Sequence, residues 1–278
     1  MGLITISRTH GSGGTEFAET VAKRLDYTFV NRTFFINSDE TDKNHVRIFG
    51  IGGDDSPSFL ERIQELNSNR NYFKVSLMAN IYEYALKNNV VFVGMGAGII
   101  LSEIDNILNI RVVRLLGERV KAVAKLKNLS YDDAFELVEE MDAGKKDFIS
   151  HYFDVDIDDP TLYHFVGNSS YVNLDDGIGM VADYAHKYLT ASHTVKTEQF
   201  LRNRLLEKRA EILLFCLGMV TSYGKIHFEA GDNGVLTVKG VIGGEQEKKK
   251  LLESLSKNEE INKIEDHLKV GILSNLIY

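Results

Sequence analysis

The chain has 278 residues, 44% of them hydrophobic and 26% charged, which is typical of a globular protein and argues against wholesale disorder. Its formal net charge of −8 excludes a protein that coats nucleic acid, because such proteins carry a basic surface. The longest apolar stretch, residues 212–220, is too short to span a bilayer. A single cysteine, Cys216, leaves no internal disulfide and favours a reducing compartment. We therefore expect a cytoplasmic protein with no transmembrane segment and no nucleic-acid partner.

The N-terminal pattern predicts a strand, a loop and a helix. Residues 3–7 are apolar and β-branched, residues 11–14 are rich in glycine, and an amphipathic stretch follows. A second short strand is predicted at residues 27–30. Residues 37–56 are polar and predict a loop or an insertion, and Pro57 opens a helical pattern that continues to Lys87 with a break near residues 67–71.

Predominantly apolar runs without regular alternation occur at residues 90–93 and 110–116, and each ends at glycine. Such runs are typical of strands in a parallel sheet that is covered on both faces. Further helices are predicted at residues 118–127, from the capping box at Ser130 to residue 153, and at 175–189, with a last strand at 163–166. The alternation of strands and helices predicts an α/β domain, a doubly wound and mainly parallel sheet, over residues 1–190.

The character of the chain changes after residue 190. Residues 1–190 contain 19 basic and 28 acidic residues, net −9, whereas the remainder has net +1. The patterns predict a long helix at 198–223, a β-hairpin of strands 225–229 and 235–241, a helix at 245–255 and a strand at 261–270. We therefore predict a second, smaller α+β domain over residues 196–272. Because Leu213–Val220 is apolar nearly all round the helix, it must be buried by its own domain or by a partner chain, and a homo-oligomer through this segment is expected.

The glycine-rich turn after the first strand is the candidate site for phosphate. Glycines that open a helix bring main-chain N–H groups together at the positive end of the helix dipole. The candidate nucleotide-binding residues are Arg8, Gly11, Ser12, Gly13, Gly14 and Thr15. A P-loop has a lysine and a Ser/Thr at its end, but alignment places Gly14 and Glu16 at those positions, with the hydroxyl of Thr15 one position early. The turn is suited to holding an anion and poorly equipped to catalyse, and no metal site formed by side chains is expected.

Residues 1–190 resemble the cytidylate-kinase-like family, relatives of the P-loop nucleoside-monophosphate kinases. The resemblance lies in residues 4–8 with 11–14, residues 93–97, Arg119 at the start of a lid-like helix, residues 142–152 and residues 159–170. It implies that ATP and Mg²⁺ are used, that a nucleotide is the partner, and that Arg119 and Lys145 stabilise the transferring phosphoryl group as catalytic residues.

The chain departs from the family at several of these positions. Thr15 stands where the family has an arginine after its two glycines, and Met95 and Lys145 stand at two further arginine positions. Lysine, methionine and threonine cannot reproduce the planar guanidinium fork that clamps a phosphoryl group. Asp142 either orders the lid-like segment or caps the next helix.

The C-terminal region resembles a BON-type domain in residues 225–229, 234–240 and 261–270. That resemblance implies a small module that binds a ligand. Three functions stay open at this point: a kinase that transfers phosphate from ATP to a nucleoside monophosphate, a pseudokinase that senses a nucleotide or ligand through its BON-like domain, and a purely structural oligomer.

Overall fold

The computed structural model describes residues 2–32, 70–189, 194–219 and 225–271. The loop expected at 37–56 and the helix start expected at Pro57 lie outside these ranges. Among the described residues, no helix combines the length and the apolar composition that a membrane span requires.

Eight strands and eight α-helices lie within the described residues. The strands are β1 (Leu3–Arg8), β2 (Thr28–Val30), β3 (Val90–Val93), β4 (Ile107–Val113), β5 (Phe165–Asn168), β6 (Ile226–Ala230), β7 (Val235–Ile242) and β8 (Lys263–Val270). The helices are α1 (Gly14–Leu25), α2 (Arg70–Leu86), α3 (Ala97–Ile100), α4 (Leu116–Lys127), α5 (Tyr131–Phe153), α6 (Leu174–Tyr188), α7 (Thr194–Cys216) and α8 (Glu245–Leu255). Short 3₁₀ turns occur at Pro160–Leu162 and Asp232–Gly234.

The described residues form two compact units. The first comprises residues 2–32, 87–189 and 194–197, and the second comprises residues 70–86, 198–219 and 225–271. Helix α2 thus groups with the C-terminal region, whereas the predicted limits, 1–190 and 196–272, placed it in the first domain. The predicted limits of the two functional domains, 1–190 and 196–272, stay a prediction.

The first unit is built on a parallel sheet, which confirms the predicted mainly parallel α/β class. Within the described residues its strand order is β2-β3-β1-β4-β5, and every neighbouring pair is parallel. Ile4 and Ile6 of β1 pack with Phe17 and Val21 of α1 and with Val181 of α6 in one buried cluster. Full burial of each such side chain stabilises the fold by about 1.5–3 kcal/mol. This packing fixes α1 and α6 on one face of the sheet.

The predicted limits of one strand in this unit and one of the two alternatives for Asp142 are wrong. The strand expected at 110–116 begins at Ile107 and ends at Val113, and Leu116 already belongs to α4, because polar Asn109 and Arg111 interrupt its apolar pattern without interrupting its pairing with β1. Helix α5 begins as expected, since the Ser130 hydroxyl accepts a hydrogen bond from the N–H of Asp133 at 3.1 Å. It then continues unbroken to Phe153, so Asp142 lies in mid-helix and is not an N-cap.

The second unit contains a smaller sheet of order β6-β7-β8, with β6 antiparallel and β8 parallel to β7. Helix α2 is tied to α7 by an edge-on contact between the rings of Tyr72 and Phe215, 5.4 Å apart, and by Arg209, which pairs with Glu83 at 3.6 Å. Arg209 also donates to Glu260 at 2.9 Å. These contacts explain why α2 groups with the C-terminal unit.

Helix α7 is shorter than the predicted helix at 198–223, because it ends at Cys216. Gly218 adopts a left-handed φ of 74°, and the N–H of Met219 donates to the carbonyl of Leu214 at 2.7 Å, an arrangement that terminates helices. Ile212 and Leu214 are buried, and Leu214 packs in the core cluster of this unit. The apolar segment is therefore covered from within its own unit, and the expected homo-oligomer through Leu213–Val220 stays a prediction, with Val220 outside the described residues.

Candidate active site

The loop between β1 and α1 has the main-chain geometry of an anion-binding turn. Gly11 and Gly13 adopt left-handed φ values of 77° and 80°, a conformation that favours glycine. Ser12 is buried and its hydroxyl donates to the carbonyl of Thr9 at 2.8 Å, while its own carbonyl accepts from the Ser169 hydroxyl at 2.8 Å. The side chain of Ser12 thus shapes the loop, and the main chain is left to face a ligand.

Helix α1 begins at the end of this loop, at the carboxyl edge of the sheet. Gly13 occupies the N-cap position, and in the described part of the chain no side chain caps it. The uncapped N–H groups of the first turn and the helix dipole together favour an anion. Glu16 lies in that first turn and is exposed.

Arg8, the last residue of β1, crosses the start of α1. Its Nε donates a long hydrogen bond of 3.4 Å to the hydroxyl of Thr15. A Cβ placed on Gly94, directly after β3, would be 2.5 Å from Nη1 of Arg8. The guanidinium therefore lies between the first turn of α1 and the loop that follows β3.

The loop after β3 is held in an unusual conformation. Gly94, Met95 and Gly96 have consecutive left-handed φ values of 72°, 59° and 71°. The ring of Phe153 lies against Gly96, 2.6 Å from where a Cβ would stand. Met95 thus belongs to a tightly held turn near the loop between β1 and α1.

Arg119 and Lys145, the predicted catalytic cations, meet at one carboxylate, that of Asp142. Nη1 of Arg119 donates to Asp142 Oδ2 at 2.6 Å, and Nζ of Lys145 donates to Asp142 Oδ1 at 3.4 Å. The carboxylate also accepts from the N–H of His10 at 2.7 Å, while Arg119 donates to the carbonyl of His10 at 3.0 Å. Both polar main-chain groups of His10 are thus held by the Arg119–Asp142 pair, which braces the loop between β1 and α1 from α4 and α5.

A second group of charged residues lies where β1 and β4 end, and the candidate set from the sequence did not include it. Nη1 of Arg111 donates to the hydroxyl of Ser7 at 2.9 Å, and Nη2 pairs with the carboxylate of Asp158. The other oxygen of Asp158 contacts Nζ of Lys146, and the Tyr163 hydroxyl lies 3.4 Å from Nη1. The signal in the sequence was the lone arginine inside the apolar run of β4.

The charges in this second group perturb one another. Burial raises the pKa of Asp158, but the hydrogen bond from Lys146 and the charge of Arg111 outweigh burial and leave that pKa below its usual range. The hydrogen bond to Asp158, followed by its charge, raises the pKa of Lys146. Asp158 is therefore held as a carboxylate between two cations.

The carboxyl edge of the first unit thus gathers a glycine-rich anion turn, an uncapped helix N-terminus and arginines from β1, β4 and α4. Within the described ranges, no three His, Cys, Asp or Glu side chains form a group that could hold a metal ion. A magnesium ion that is held mainly by substrate phosphates does not require such a group. The fold and the site define an α/β protein of the P-loop kinase type.

Comparison with known proteins agrees with this class. Residues 3–171 match the cytidylate kinase-like family, and the chain belongs to that family. A cytidylate kinase from Staphylothermus marinus is 26% identical over 190 residues, which are 68% of this chain and 99% of that protein. A cytidylate kinase from Thermococcus kodakarensis is 23% identical over 190 residues, 68% of this chain and 90% of its own. An uncharacterized protein from Eubacterium ventriosum shares the fold, with a TM-score of 0.52 and 20% identity over 67% of this chain and 98% of its own.

Proposed function

We propose that this chain binds ATP through the loop of residues 9–15 and transfers the terminal phosphoryl group to a nucleoside monophosphate. The observation that carries the proposal is the glycine turn at the uncapped N-terminus of α1, with the guanidinium of Arg8 lying across it. Both named relatives are cytidylate kinases, which supports a pyrimidine monophosphate as the acceptor.

In this reaction a phosphate oxygen of the acceptor forms a bond to the γ-phosphorus of ATP. The bond from that phosphorus to the β–γ bridging oxygen breaks, and its electron pair stays on ADP. The protein's part is positioning and charge stabilisation. The N–H groups at the start of α1 would hold the donor phosphates, and Arg8 would neutralise their charge. Mg²⁺ would be held by those phosphates with the hydroxyl of Thr15 nearby, and it supplies further charge neutralisation when bound.

Arg119 has a different role in this proposal from the one expected. Because it is already engaged by Asp142 and by two main-chain carbonyls, those of Arg114 and His10, it acts by holding the loop in shape. Lys145, which makes the longer contact to Asp142 at 3.4 Å, keeps its proposed role in stabilising the transferring phosphoryl group.

A second candidate function is a pseudokinase that binds a nucleotide and does not turn it over. The observation that favours it is the carboxylate of Asp142, which offsets the charge of both Arg119 and Lys145. In that case the second unit, as a BON-like ligand-binding or oligomerising module, would report occupancy. Under either function we place the protein in the cytoplasm, where ATP is available and Cys216 stays reduced.

Turnover and binding assays separate the two candidates. The full chain is given ATP, Mg²⁺ and one of CMP, dCMP, UMP, AMP or GMP, and nucleoside diphosphate is quantified while calorimetry follows binding. Lys23→Ala is the matched control, because Lys23 pairs only with Glu19 in the described residues and is exposed on α1. Turnover with a pyrimidine monophosphate supports the kinase, whereas ATP binding without turnover supports the sensor. Absence of binding at millimolar ATP contradicts both.

A further inference from the structure

Position 14, where a P-loop carries its lysine, has no room for a side chain. A Cβ placed on Gly14 would lie 2.6 Å from Cβ and 3.2 Å from Cγ of Arg8, and 3.1 Å from Cβ of Val112. Carbon atoms of neighbouring side chains do not approach to 2.6 Å, and the nearest atom belongs to the rigid root of Arg8. The backbone itself permits a side chain, because Gly14 is the first residue of α1 and does not have a left-handed φ. The main obstacle is therefore the Cβ of Arg8, and the Cβ of Val112 is a second, milder one.

Arg8 fills the space beside position 14. It lies on the same face of β1 as Ile4 and Ile6, crosses Gly14, and passes the hydroxyl of Thr15 at 3.4 Å. Its Nη1 then reaches the turn at Gly94. The cation thus ends at the carboxyl edge of the sheet, beside the N–H groups that open α1.

We propose that Arg8 replaces the missing loop lysine and contacts the β- and γ-phosphates of the bound nucleotide. This inference rests on the proposed function, since it assigns the residue that neutralises the donor phosphates. A nucleoside triphosphate needs a cation at this end of the loop, and a guanidinium supplies two parallel donors to phosphate oxygens. Because the collision is with Cβ of residue 8, any residue other than glycine at position 8 disfavours a side chain at position 14, and the arginine at position 8 supplies the cation that position 14 cannot.

The chain offers a reciprocal exchange that tests the replacement. Residues 8–15 read Arg-Thr-His-Gly-Ser-Gly-Gly-Thr. Arg8→Gly combined with Gly14→Lys converts this segment to the spacing G-x-x-x-x-G-K-T, in which a lysine from the start of the helix serves the phosphates. In this spacing the Ser/Thr position directly follows position 14, so it is occupied by Thr15 and not, as first aligned, by Glu16. Four proteins are compared with wild type: Arg8→Gly, Gly14→Lys, the double variant, and Arg8→Met, which removes the charge and keeps the volume.

The first readout is ATP affinity, measured by calorimetry with the full chain and Mg²⁺. Loss of a charge-assisted contact in Arg8→Gly and Arg8→Met is expected to weaken ATP binding by about 10- to 100-fold. The double variant is expected to recover to within about 10-fold of wild type. Lys23→Ala should bind as wild type does.

The second readout is thermal melting, which does not require a nucleotide. Gly14→Lys is expected to lower the melting temperature of the wild-type background by several degrees and that of the Arg8→Gly background less, because the collision with Arg8 is gone and only the contact with Cβ of Val112 at 3.1 Å remains. Arg8→Met with unchanged ATP affinity overturns the inference, as does a folded double variant that binds no better than Arg8→Gly. If Gly14→Lys lowers the melting temperature equally in the wild-type and Arg8→Gly backgrounds, the steric argument for the exchange is overturned. A wild-type chain that binds no ATP overturns the proposed function itself. The ATP titration of the wild type therefore distinguishes failure of the proposed function from failure of the role given to Arg8.

Discussion

Arg119→Ala is expected to destabilise the first unit strongly, although Arg119 was predicted from the sequence as a contact to the substrate. The Arg119 side chain is 9% exposed, and it donates to Arg114 O at 3.1 Å, to His10 O at 3.0 Å and to Asp142 at 2.6 Å. Removal of one partner of a buried ion pair costs about 3–5 kcal/mol. Because Asp142 keeps Lys145 and the N–H of His10, we expect the lower end, about 3 kcal/mol.

Differential scanning calorimetry of the full chain measures this effect. About 3 kcal/mol corresponds to a decrease of about 6–12 °C in the melting temperature of a unit of this size. The control is Lys23→Ala, which removes a cation that is 74% exposed and pairs with Glu19 at 2.9 Å. Such surface pairs contribute less than about 1 kcal/mol, so the control should melt within about 2–4 °C of wild type.

A double-mutant cycle with Asp142→Ala identifies the cause. If the pair acts as one brace on His10, the double variant is expected to lose little more than either single variant, with a coupling of about 1–3 kcal/mol. The bracing role of the pair would be refuted if Arg119→Ala melted at the same temperature as the Lys23→Ala control. It would also be refuted if the losses of unfolding free energy in the cycle were additive. Arg119→Ala should also weaken ATP binding, since the main chain of His10 is no longer held on both sides.

Three further predictions concern other parts of the molecule. Asp158 has a lowered pKa, so its carboxylate stabilises the fold above the unfolded-state pKa of about 3.9, and that contribution disappears as the pH falls through the lower folded-state value. The melting-temperature difference between wild type and Asp158→Asn should therefore be present at pH 7 and shrink below about pH 4, and a constant difference from pH 7 to 2 would count against the ion pairs. Gly240→Ala should destabilise the second unit by about 3 kcal/mol in urea unfolding, because Gly240 has a φ of 130° and a Cβ would collide with the carbonyl of Lys225. The control is Gly244→Ala, because a Cβ on Gly244 meets nothing within 4 Å. Equal losses of unfolding free energy in the two variants would contradict the steric reason. ATP at 100 times its Kd should raise the unfolding free energy of the first unit by about 2.7 kcal/mol, and an unchanged melting curve of that unit would contradict binding there.

The parallel sheet and the glycine-rich turn between β1 and α1 were accessible from the sequence because they depend on local pattern. Unbroken apolar runs identify buried parallel strands, and a glycine cluster between a strand and a helix identifies the turn. The hairpin of β6 and β7 and helix α8 were predicted for the same reason, and α8 matches the predicted range, 245–255.

The charge pairing of the site was not accessible, because it joins residues far apart in the chain. Arg119 meets the carbonyl of His10 across 109 positions, and Arg111 meets Asp158 across 47. A basic residue that follows a strand has the same local pattern whether it contacts a ligand or an internal carboxylate. The collision between Arg8 and position 14 likewise depends on how β1 and α1 pack, which no spacing rule expresses.

We propose that the loop of residues 9–15 holds the phosphates of a nucleotide without a lysine. Calorimetric titration of the full chain with ATP, ADP, AMP and adenosine, each with Mg²⁺, measures this phosphate dependence. The loop and Arg8 act on phosphate charge, so the affinity is expected to decrease from ATP to ADP to AMP, with adenosine the weakest ligand. Equal affinities for ATP and adenosine, or no binding of ATP at millimolar concentration, would contradict the claim.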